Sequence, residues 1–346
     1  MLGFAGAGSA SAKQRPERPA RPQPITLEWV GDIALSSQRG LPPDGLERAL
    51  QPVSALLHDA QLTLGNLEGT LSVGGFSKCG GGIGGGTCFA FQAPPSTAFG
   101  LRGLGFDLLN QANNHALDYG LSGQGQTIAA LDRAGVAHTG LPGEITYLRV
   151  AGRRVAFVGF APYGFDANLL DVPAAGRLVR RARAHAALVV VIIHAGAEGV
   201  AALHTPHGTE HYLGEDRGDA RAFAHAAINA GASVVLGSGP HVIRGVERYR
   251  GRLIAYSLGN FVGYHTLGGG GVRSESGVLR LTLGTDGRVL AGRWISIRLI
   301  GGLPLPERTD ASARLVARLS REDFPFDHFA IEPNGFFRLP TPSKRS

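Results

Sequence analysis

Apolar and polar residues alternate in recurring patterns along the chain, and these patterns predict strands and helices in turn. Residues 25–30 alternate in the manner of a half-buried strand, and Asp44 to Asp59 has the spacing of an amphipathic helix. Leu62 to Glu68 and Phe106 to Gln111 are predicted as further strands, and the continuous apolar run Leu188 to Ile193 is typical of a strand buried on both faces. This order predicts an α/β fold with sheet packed on sheet and helices outside.

Composition divides the chain into three parts. Residues 1–24 are predicted to be a leader, because Met1 to Ala12 resembles the end of a signal peptide and a Pro- and Arg-rich stretch follows it. Its lack of a basic start leaves two explanations open, a truncated beginning or a merely flexible leader. Residues 25–302 are predicted as the folded domain, and residues 303–346 as a loose C-terminal tail with one weak helix, Asp310 to Leu319.

The net charge of +7 does not indicate a nucleic-acid partner once it is located. The chain has 346 residues, of which 43% are hydrophobic and 18% charged, as in a globular protein. Residues 13–24 carry four basic residues against one acidic residue, and residues 344–345 are both basic, so five of the seven net charges (3 + 2) lie near the ends. The body is close to balanced and has no basic stripe interleaved with aromatics, so we discount nucleic-acid binding.

Two cysteines, Cys79 and Cys88, flank a Gly-rich loop. In a cytosolic protein this pair would be idle or would clip a metal, whereas in an exported protein it would close a disulfide. Together with the leader, the pair favours export, so we expect an extracytoplasmic protein, either periplasmic or secreted. No run after the leader is long and apolar enough to span a bilayer.

Residues suited to metal binding or acid–base chemistry recur where the predicted strands end. They are Asp32 after the first strand, Asn66 and Glu68 at the second, Asn113, Asn114 and His115 after the third, and His194 and His241 after two later buried strands. Each alone has an ordinary explanation, since Asn is a favoured helix cap and a histidine after a strand is commonly a hydrogen-bonded turn residue. Ligands of open α/β sheets bind at the carboxyl ends of strands, so the whole set favours one shared metal or catalytic centre.

The donor types indicate a divalent metal ion. Carboxylates from two strands can hold or bridge ions, while amide oxygens and imidazole nitrogens fill the remaining positions. Such a mixture suits manganese, zinc or iron, and the identity and number of the ions stay open.

Five short motifs in this order resemble the CapA family of poly-γ-glutamate capsule biosynthesis proteins, also called PgsA-type. They are Gly31-Asp32, Asn66-Leu67-Glu68, Ala112-Asn-Asn-His-Ala-Leu-Asp-Tyr-Gly120, His194-Ala-Gly-Ala-Glu198, and Gly239-Pro-His-Val242 followed by Tyr256-Ser-Leu-Gly-Asn-Phe261. The resemblance runs from about Ile25 to Gly302. It implies a relation to calcineurin-like metallophosphoesterases, and hence a two-sheet sandwich with flanking helices in αββα layers.

The resemblance also implies a role for each residue. The expected assignments are Asp32 and Glu68 as acidic ligands, Asn114 as amide ligand, His194 and His241 as imidazole ligands, His115 as the acid that protonates a leaving group, and Asn66, Asn113, Glu198, Asn260 and His265 as substrate or supporting groups. Two positions depart from the phosphoesterase pattern, because Ala34 and Ser238 stand where that pattern has imidazoles. A weaker two-metal site, a single ion or a degenerate pocket would each fit.

A second histidine cluster is interpreted differently. His204, His207 and His211 would share a face on a helix, but Pro206 and Gly208 favour a solvated loop over a ligand or lid role.

The resemblance implies a protein that is involved in the synthesis, export or processing of poly-γ-glutamate or a related envelope polymer. The protein would act through a metal-dependent, hydrolase-like site. Its expected partners are an anionic envelope polymer or a small acidic substrate, and a membrane-bound capsule synthesis complex. A non-catalytic polymer-binding scaffold with a degenerate metal pocket is the first alternative, and a metal-dependent phosphoesterase is the second.

Overall fold

A computed structural model describes residues 23–36, 40–80 and 88–339. The predicted leader therefore lies outside the described residues except for its last two positions. The helices are α1 (Gly45–Ser54), α2 (Thr97–Gly103), α3 (Gly120–Ala134), α4 (Val172–His185), α5 (Ala220–Ala230) and α6 (Ala311–Asp323), with 3-10 turns at Ala55–His58, Val200–Ala202 and Gly271–Ser274.

The strands of the described residues, in chain order, are β1 (Ile25–Ala34), β2 (Leu62–Leu67), β3 (Thr70–Leu71), β4 (Gln92–Ala93), β5 (Leu108–Asn110), β6 (Ala137–Thr139), β7 (Thr146–Val150), β8 (Arg153–Phe160), β9 (Leu188–His194), β10 (His211–Tyr212), β11 (Glu215–Asp216), β12 (Val234–Ser238), β13 (Val246–Tyr249), β14 (Arg252–Ala255), β15 (Asn260–Gly263), β16 (Glu275–Leu283), β17 (Val289–Ile300), β18 (Leu303–Pro306), β19 (Ala330–Ile331) and β20 (Phe337–Arg338).

Two large sheets form the centre of the molecule. The first has the order β18-β17-β16-β1-β2-β5-β6, with β15 also paired to β1, and the second has the order β13-β14-β12-β9-β8-β7. Their facing sides share one apolar core, in which Trp29 and Leu64 of the first sheet pack with Phe157 and Val190 of the second. The indole Nε1 of Trp29 also donates a hydrogen bond to the Gly237 carbonyl at 3.1 Å, which ties the sheets together near the ends of their strands.

Helices cover both outer faces. Helices α1, α2 and α3 bury apolar side chains such as Leu50 and Leu131 against the first sheet, and α4 and α5 bury Val179 and Phe223 against the second. The residues of β9 are buried throughout, as the continuous apolar run predicts. The predicted α/β sandwich with αββα layers is confirmed.

The region after Gly302 is more ordered than its composition predicts. Strand β18 extends the first sheet beside β17, and α6 buries Ala313, Val316 and Leu319 in the core shared by the two sheets. Prolines fit in β18 because it is an edge strand, where a missing N–H breaks no ladder. The expectation of a loose tail is therefore wrong for residues 303–339, whereas the helix predicted at Asp310 to Leu319 is present as α6. The division of the chain into three parts stays a prediction.

Parallel pairing brings the site residues together. In the first sheet Asp32 on β1 is in register with Asn66 on β2 and Asn260 on β15, and Asn66 is in register with Asn110 on β5. In the second sheet His194 on β9 is in register with Ser238 on β12. The carboxyl ends of both sheets thus meet at one edge of the sandwich, where ligands bind in such folds.

Candidate metal centre

Side-chain amides form a hydrogen-bond network around Asp32 at the base of the site. The Nδ2 of Asn66 donates to Asp32 Oδ1 at 2.8 Å, and the Oδ1 of Asn66 accepts from Asn110 Nδ2 at 2.9 Å and from Asn113 Nδ2 at 3.2 Å. The backbone N–H of Gly239 donates to the other oxygen of Asp32 at 3.2 Å. Because every one of these side chains is buried, the network fixes the Asp32 carboxylate in one orientation.

Three predicted ligands come together next to this network. Asp32, Glu68 and His241 each offer a ligand atom, and these atoms all lie within 4.8 Å of one another. His241 Nδ1 is 3.2 Å from Asp32 Oδ2, and His241 Nε2 is 3.4 Å from Glu68 Oε1. The histidine adopts a left-handed backbone with φ of 57°, and its Nδ1 contacts the Oδ1 of Asn260 at 2.8 Å. Asn260, at the start of β15, thus contacts the imidazole of His241, and its supporting role stays a prediction.

His194 approaches the other carboxylate oxygen of Asp32. Its Nδ1 is 3.7 Å from Asp32 Oδ1 and 3.2 Å from the hydroxyl of Ser238, the residue that stands at an expected imidazole position. Ser238 therefore contacts the remaining histidine instead of supplying a second one. The Nε2 of His194 is buried without a hydrogen-bond partner among the described residues.

His115 forms a dyad with a carboxylate that the sequence analysis left unassigned. Its Nδ1 is 2.8 Å from Asp118 Oδ2, and its Nε2 is 3.8 Å from Glu68 Oε1. Lys78 Nζ contacts the other oxygen of Asp118 at 2.7 Å, and the ring of Phe91 lies on the imidazole with centroids 4.5 Å apart. These contacts hold Nδ1 toward Asp118 and turn Nε2 toward the acidic cluster.

The two asparagines before His115 have different surroundings. Asn113 Oδ1 accepts from the His115 backbone N–H at 3.0 Å, which shapes the turn, while its Nδ2 joins the amide network. Asn114 lines a neighbouring cavity, and its Oδ1 is buried without a hydrogen-bond partner among the described residues. Asn113 is thus a structural support, and Asn114 has the free amide oxygen that a ligand would need.

A cavity of about 410 Å³ opens beside His115. Lys78, Asn114, Glu198 and Arg217 are among its lining residues. The guanidinium of Arg217 is buried and contacts Glu198 Oε1 at 2.6 Å, and Glu198 Oε2 lies 3.7 Å from His241 Nε2. Glu198 therefore links the cavity to the acidic cluster.

The pKa values follow from burial and from these contacts. Burial opposes ionisation of Asp32, but the imidazoles of His194 and His241 outweigh it and hold the pKa of this carboxyl well below its usual range. Burial raises the pKa of Glu68 well above its usual value, against the pull of His241. Burial lowers the pKa of His194 to about 4. For His241 burial also opposes the charge, yet Glu68, Asp32 and Glu198 together raise its pKa to about 10.

The donor set fits a divalent cation. Both oxygens of Glu68, the Nε2 of His194 and the Oδ1 of Asn114 are buried without hydrogen-bond partners among the described residues. Unpaired buried acceptors are costly unless a ligand satisfies them, and carboxylate, imidazole and amide donors suit manganese, zinc or iron. The structure therefore supports a divalent metal site, while the role of each single residue stays a prediction.

The remaining predicted histidines lie away from the centre. His204 is exposed and contacts Asp323 through Nδ1 at 2.7 Å, and His207 contacts Arg221 at 3.0 Å. His211 is exposed in β10, and the ring of His265 packs on Tyr264. Residues 204–210 form a largely exposed loop, as interpreted from the sequence, while His211 begins the short strand β10.

Sequence reasoning missed four residues of the site. Asn110 ends β5, two residues before the Ala112–Gly120 motif, and Asp118 lies inside that motif. The spacing of three between His115 and Asp118 was the available signal for the dyad. Lys78 and Arg217 had no signal, because only the folded chain brings them to the cavity.

Fold and site together define a class: two-sheet α/β sandwiches with buried carboxylates and imidazoles at the strand ends. The family model of the bacterial capsule synthesis protein PGA_cap matches residues 26–265. The match covers more than half of the chain, so the chain belongs to this family and the resemblance read from the motifs is confirmed.

Several known proteins are similar to the chain. The PGA biosynthesis protein CapA of Bacillus subtilis is 33% identical over 179 residues, 47% of this chain and 44% of that protein. The capsule biosynthesis protein CapA of Bacillus anthracis is 28% identical over 264 residues, 69% of this chain and 59% of that protein. A probable polyglutamine synthesis accessory protein of Mycobacterium tuberculosis is 32% identical over 209 residues, 55% of this chain and 53% of that protein. The matched regions thus span about half the length of these relatives.

Two nucleotidases are among the solved structures to which the chain is similar. The 5'-nucleotidase precursor of Thermus thermophilus is 14% identical with a TM-score of 0.46, over 86% of this chain and 59% of that chain. The putative 5'-nucleotidase of Staphylococcus aureus, solved with alpha-ketoglutarate, is 14% identical with a TM-score of 0.42, over 86% of this chain and 58% of that chain.

Proposed function

We propose that this protein takes part in the synthesis, export or processing of poly-γ-glutamate or a related anionic envelope polymer. Membership of the capsule synthesis family and the names of the Bacillus and Mycobacterium relatives support this role. The cavity beside His115 presents Lys78 and Arg217, which suit a carboxylate-bearing substrate. We further propose that the protein works beside a membrane-bound capsule synthesis complex.

The chemistry we propose is metal-dependent hydrolysis, and one observation carries it: Asp32, Glu68 and His241 converge next to the His115–Asp118 dyad. Asp32, Glu68, His241, His194 and Asn114 would hold the cation. A cation bound there would activate water and polarise the scissile group.

The chain's own residues would then carry out the proton transfer. Asp118 holds the Nδ1 of His115, so Nε2 is the nitrogen that exchanges a proton with a leaving group in the cavity. Phe91 packs on the imidazole and Lys78 contacts Asp118, so both residues help to hold the dyad in place.

An extracytoplasmic location is part of the proposal. Cys79 and Cys88 form a disulfide with Cα atoms 5.7 Å apart, and such bonds persist in oxidising compartments. In the part of the chain that the structure describes, no helix is both long and apolar enough to cross a membrane.

Metal analysis of the purified full chain, combined with turnover of poly-γ-glutamate, tests the proposal. We expect stoichiometric divalent metal and cleavage in the parent protein, and loss of both in Asp32→Asn and His241→Asn. His204→Asn is the matched control, because His204 is exposed and outside the cluster, and it should keep both. Equal metal content and turnover in His241→Asn and His204→Asn would contradict a centre at this edge.

A polymer-binding scaffold without turnover is the second candidate. The contact of Ser238 with His194 in place of a second imidazole favours it. In that case chelator-treated protein would bind poly-γ-glutamate as tightly as untreated protein and would cleave nothing. A phosphoesterase would instead hydrolyse a nitrophenyl phosphodiester in the same metal-dependent manner and leave the polymer intact.

A further inference from the structure

A row of arginines lies on the outer face of the second sheet, beside its edge strand β7. Arg149 on β7 and Arg154 on β8 are partners in register, so their side chains lie on the same face of the sheet. This face is the outer one, because Ala156, two residues after Arg154, packs in the same core cluster as Val179 of α4. The arginine row is defined as Arg149, Arg154, Arg177 and Arg181.

The row continues from the strands onto α4. Arg177 and Arg181 are four residues apart, so they project from one side of the helix about 6 Å apart along its axis. Arg154 Nη1 donates to the His185 carbonyl at the end of α4 at 3.2 Å, which joins the two halves of the row. Arg181 Nη2 donates to the carbonyl of Gly143, in the loop before β7, at 2.7 Å. The four guanidinium groups thus border the same edge of the second sheet.

The row has no carboxylate partner in the part of the chain that the structure describes. All four side chains are exposed, and none of them forms an ion pair with a described residue. Of the acidic residues in the flanking loops, Glu144 contacts His138 at 3.0 Å, and Asp171 caps α4 by accepting from the Ala174 N–H. Unpaired positive charges gathered in one place create a local positive potential, which attracts an anionic partner.

We propose that the arginine row binds a linear polycarboxylate, which would lie along this edge of the second sheet and outside the candidate metal centre. A planar guanidinium pairs with a carboxylate through two parallel N–H donors. A cavity of about 440 Å³ adjoins Arg177 and Arg181, and Ala174 and Leu178 in its wall suit methylene groups between the charges of the ligand. The choice of poly-γ-glutamate as the polycarboxylate rests on the proposed function.

Such a surface would hold a polymer at a second point besides the metal centre. A chain that is bound along the row stays near the molecule after it leaves the cavity beside His115, so its next binding event there occurs at a raised effective concentration. A short oligomer cannot contact all four arginines at once and gains less from the row.

Binding of fluorescently labelled poly-γ-glutamate to the chelator-treated full chain tests the proposal without the cleavage proposed above. Two double variants, Arg149→Gln with Arg154→Gln and Arg177→Gln with Arg181→Gln, should each weaken binding by about tenfold or more. The affinity of the parent protein should fall as salt is raised, because the contacts are exposed charges.

The matched control is Arg308→Gln with Arg321→Gln. These two arginines are exposed, and neither forms an ion pair with any residue of the described ranges. Arg321 is on α6, which contacts β13 at the opposite edge of the second sheet, and Arg308 precedes that helix. Removal of the same charge there should change the affinity by less than about twofold.

A single charge reversal separates binding from folding. Arg177 makes no hydrogen bond or ion pair within residues 23–36, 40–80 and 88–339, so Arg177→Glu breaks no such contact of the folded chain. We expect an unchanged melting temperature and binding of the polymer that is weaker by about threefold or more.

Four outcomes would overturn the proposal. They are equal binding by the row variants and the control, loss in only one of the two double variants, tighter binding of polyphosphate than of poly-γ-glutamate at equal charge, and binding to vesicles of anionic phospholipid without binding to the polymer. Failure of the proposed function would look different. Metal-loaded protein that binds the polymer through the row and leaves it uncleaved would support this inference and contradict hydrolysis.

Discussion

The two acidic ligands of the candidate metal centre are equally buried and differently satisfied. Asp32 accepts hydrogen bonds from Asn66 and from the Gly239 backbone, and two imidazoles hold its charge. Glu68 has no hydrogen-bond donor among the described residues, and its charge is disfavoured. The fold itself therefore satisfies the Asp32 carboxylate, whereas a bound ion would satisfy Glu68.

Of the substitutions that test this difference, removal of the Asn66 side chain should have the largest effect on stability. In Asn66→Ala, Asp32 loses a donor, and the amides of Asn110 and Asn113 lose a shared acceptor. We expect the free energy of unfolding to fall by about 3–5 kcal/mol, measured by urea denaturation. Asn229→Ala is the control, because that asparagine is exposed, and its loss should stay within about 0.5 kcal/mol. Similar losses in the two variants would mean that the network does not support Asp32.

Neutralisation of Glu68 should have the opposite sign. With a chelator present, Glu68→Gln should unfold with a free energy about 1–2 kcal/mol higher than the parent, because Gln is neutral at every pH and removes the cost of keeping a buried carboxyl protonated at neutral pH. The same variant should lose bound metal. Glu322→Gln changes an exposed carboxylate, so the free energy of unfolding should change by no more than about 0.5 kcal/mol. The amount of bound metal should not change detectably. A stability loss in Glu68→Gln would show that the carboxylate is satisfied without an ion.

Asp166 is a second buried carboxyl whose charge is disfavoured, and the pH dependence of stability tests this. Its folded pKa is raised to about 9, so the stability it contributes is present below pH 3.8 and is lost as pH rises toward 9. Asp166→Asn lacks this dependence. The difference in melting temperature between Asp166→Asn and the parent should therefore grow from pH 4 to pH 9 and then level off. A constant difference across that range would contradict the assignment.

The smallest effect is expected at Ser238. Its hydroxyl is 3.2 Å from His194 Nδ1 and 3.3 Å from the Ile193 carbonyl. Ser238→Ala should lower the free energy of unfolding by about 1 kcal/mol in chemical denaturation, since Asn66 still contacts the same nitrogen at 3.2 Å. A loss as large as that of Asn66→Ala would place Ser238 inside the supporting network.

The strand-end residues could be predicted because parallel strands finish at one edge of a sheet, so Asp32, Glu68, His194 and His241 needed no knowledge of packing. Asn113 was predicted as a supporting group for the same reason. Arg217 and Lys78 could not be predicted, since they approach the cavity from loops whose course depends on the whole fold.

The C-terminal region was misread for a related reason. Helix α6 is rich in Arg and Ser, so its composition is polar, although Ala313, Val316 and Ala317 share one face that packs near β16 and β17. Composition records how polar a segment is, and burial of one face depends on the surface opposite.

The disulfide has a consequence for engineering. Lys78 and Phe91, on the two sides of the Cys79–Cys88 bond, both contact Asp118: Lys78 through its Nζ and Phe91 through its backbone N–H at 2.6 Å. A peptide inserted between the cysteines would lie within a ring that the disulfide closes. The conformational freedom of the insert would therefore not loosen the contact of Lys78 or of Phe91 with Asp118. This position is therefore suited to an epitope or a fluorophore that reports on the protein while the His115 dyad stays in place.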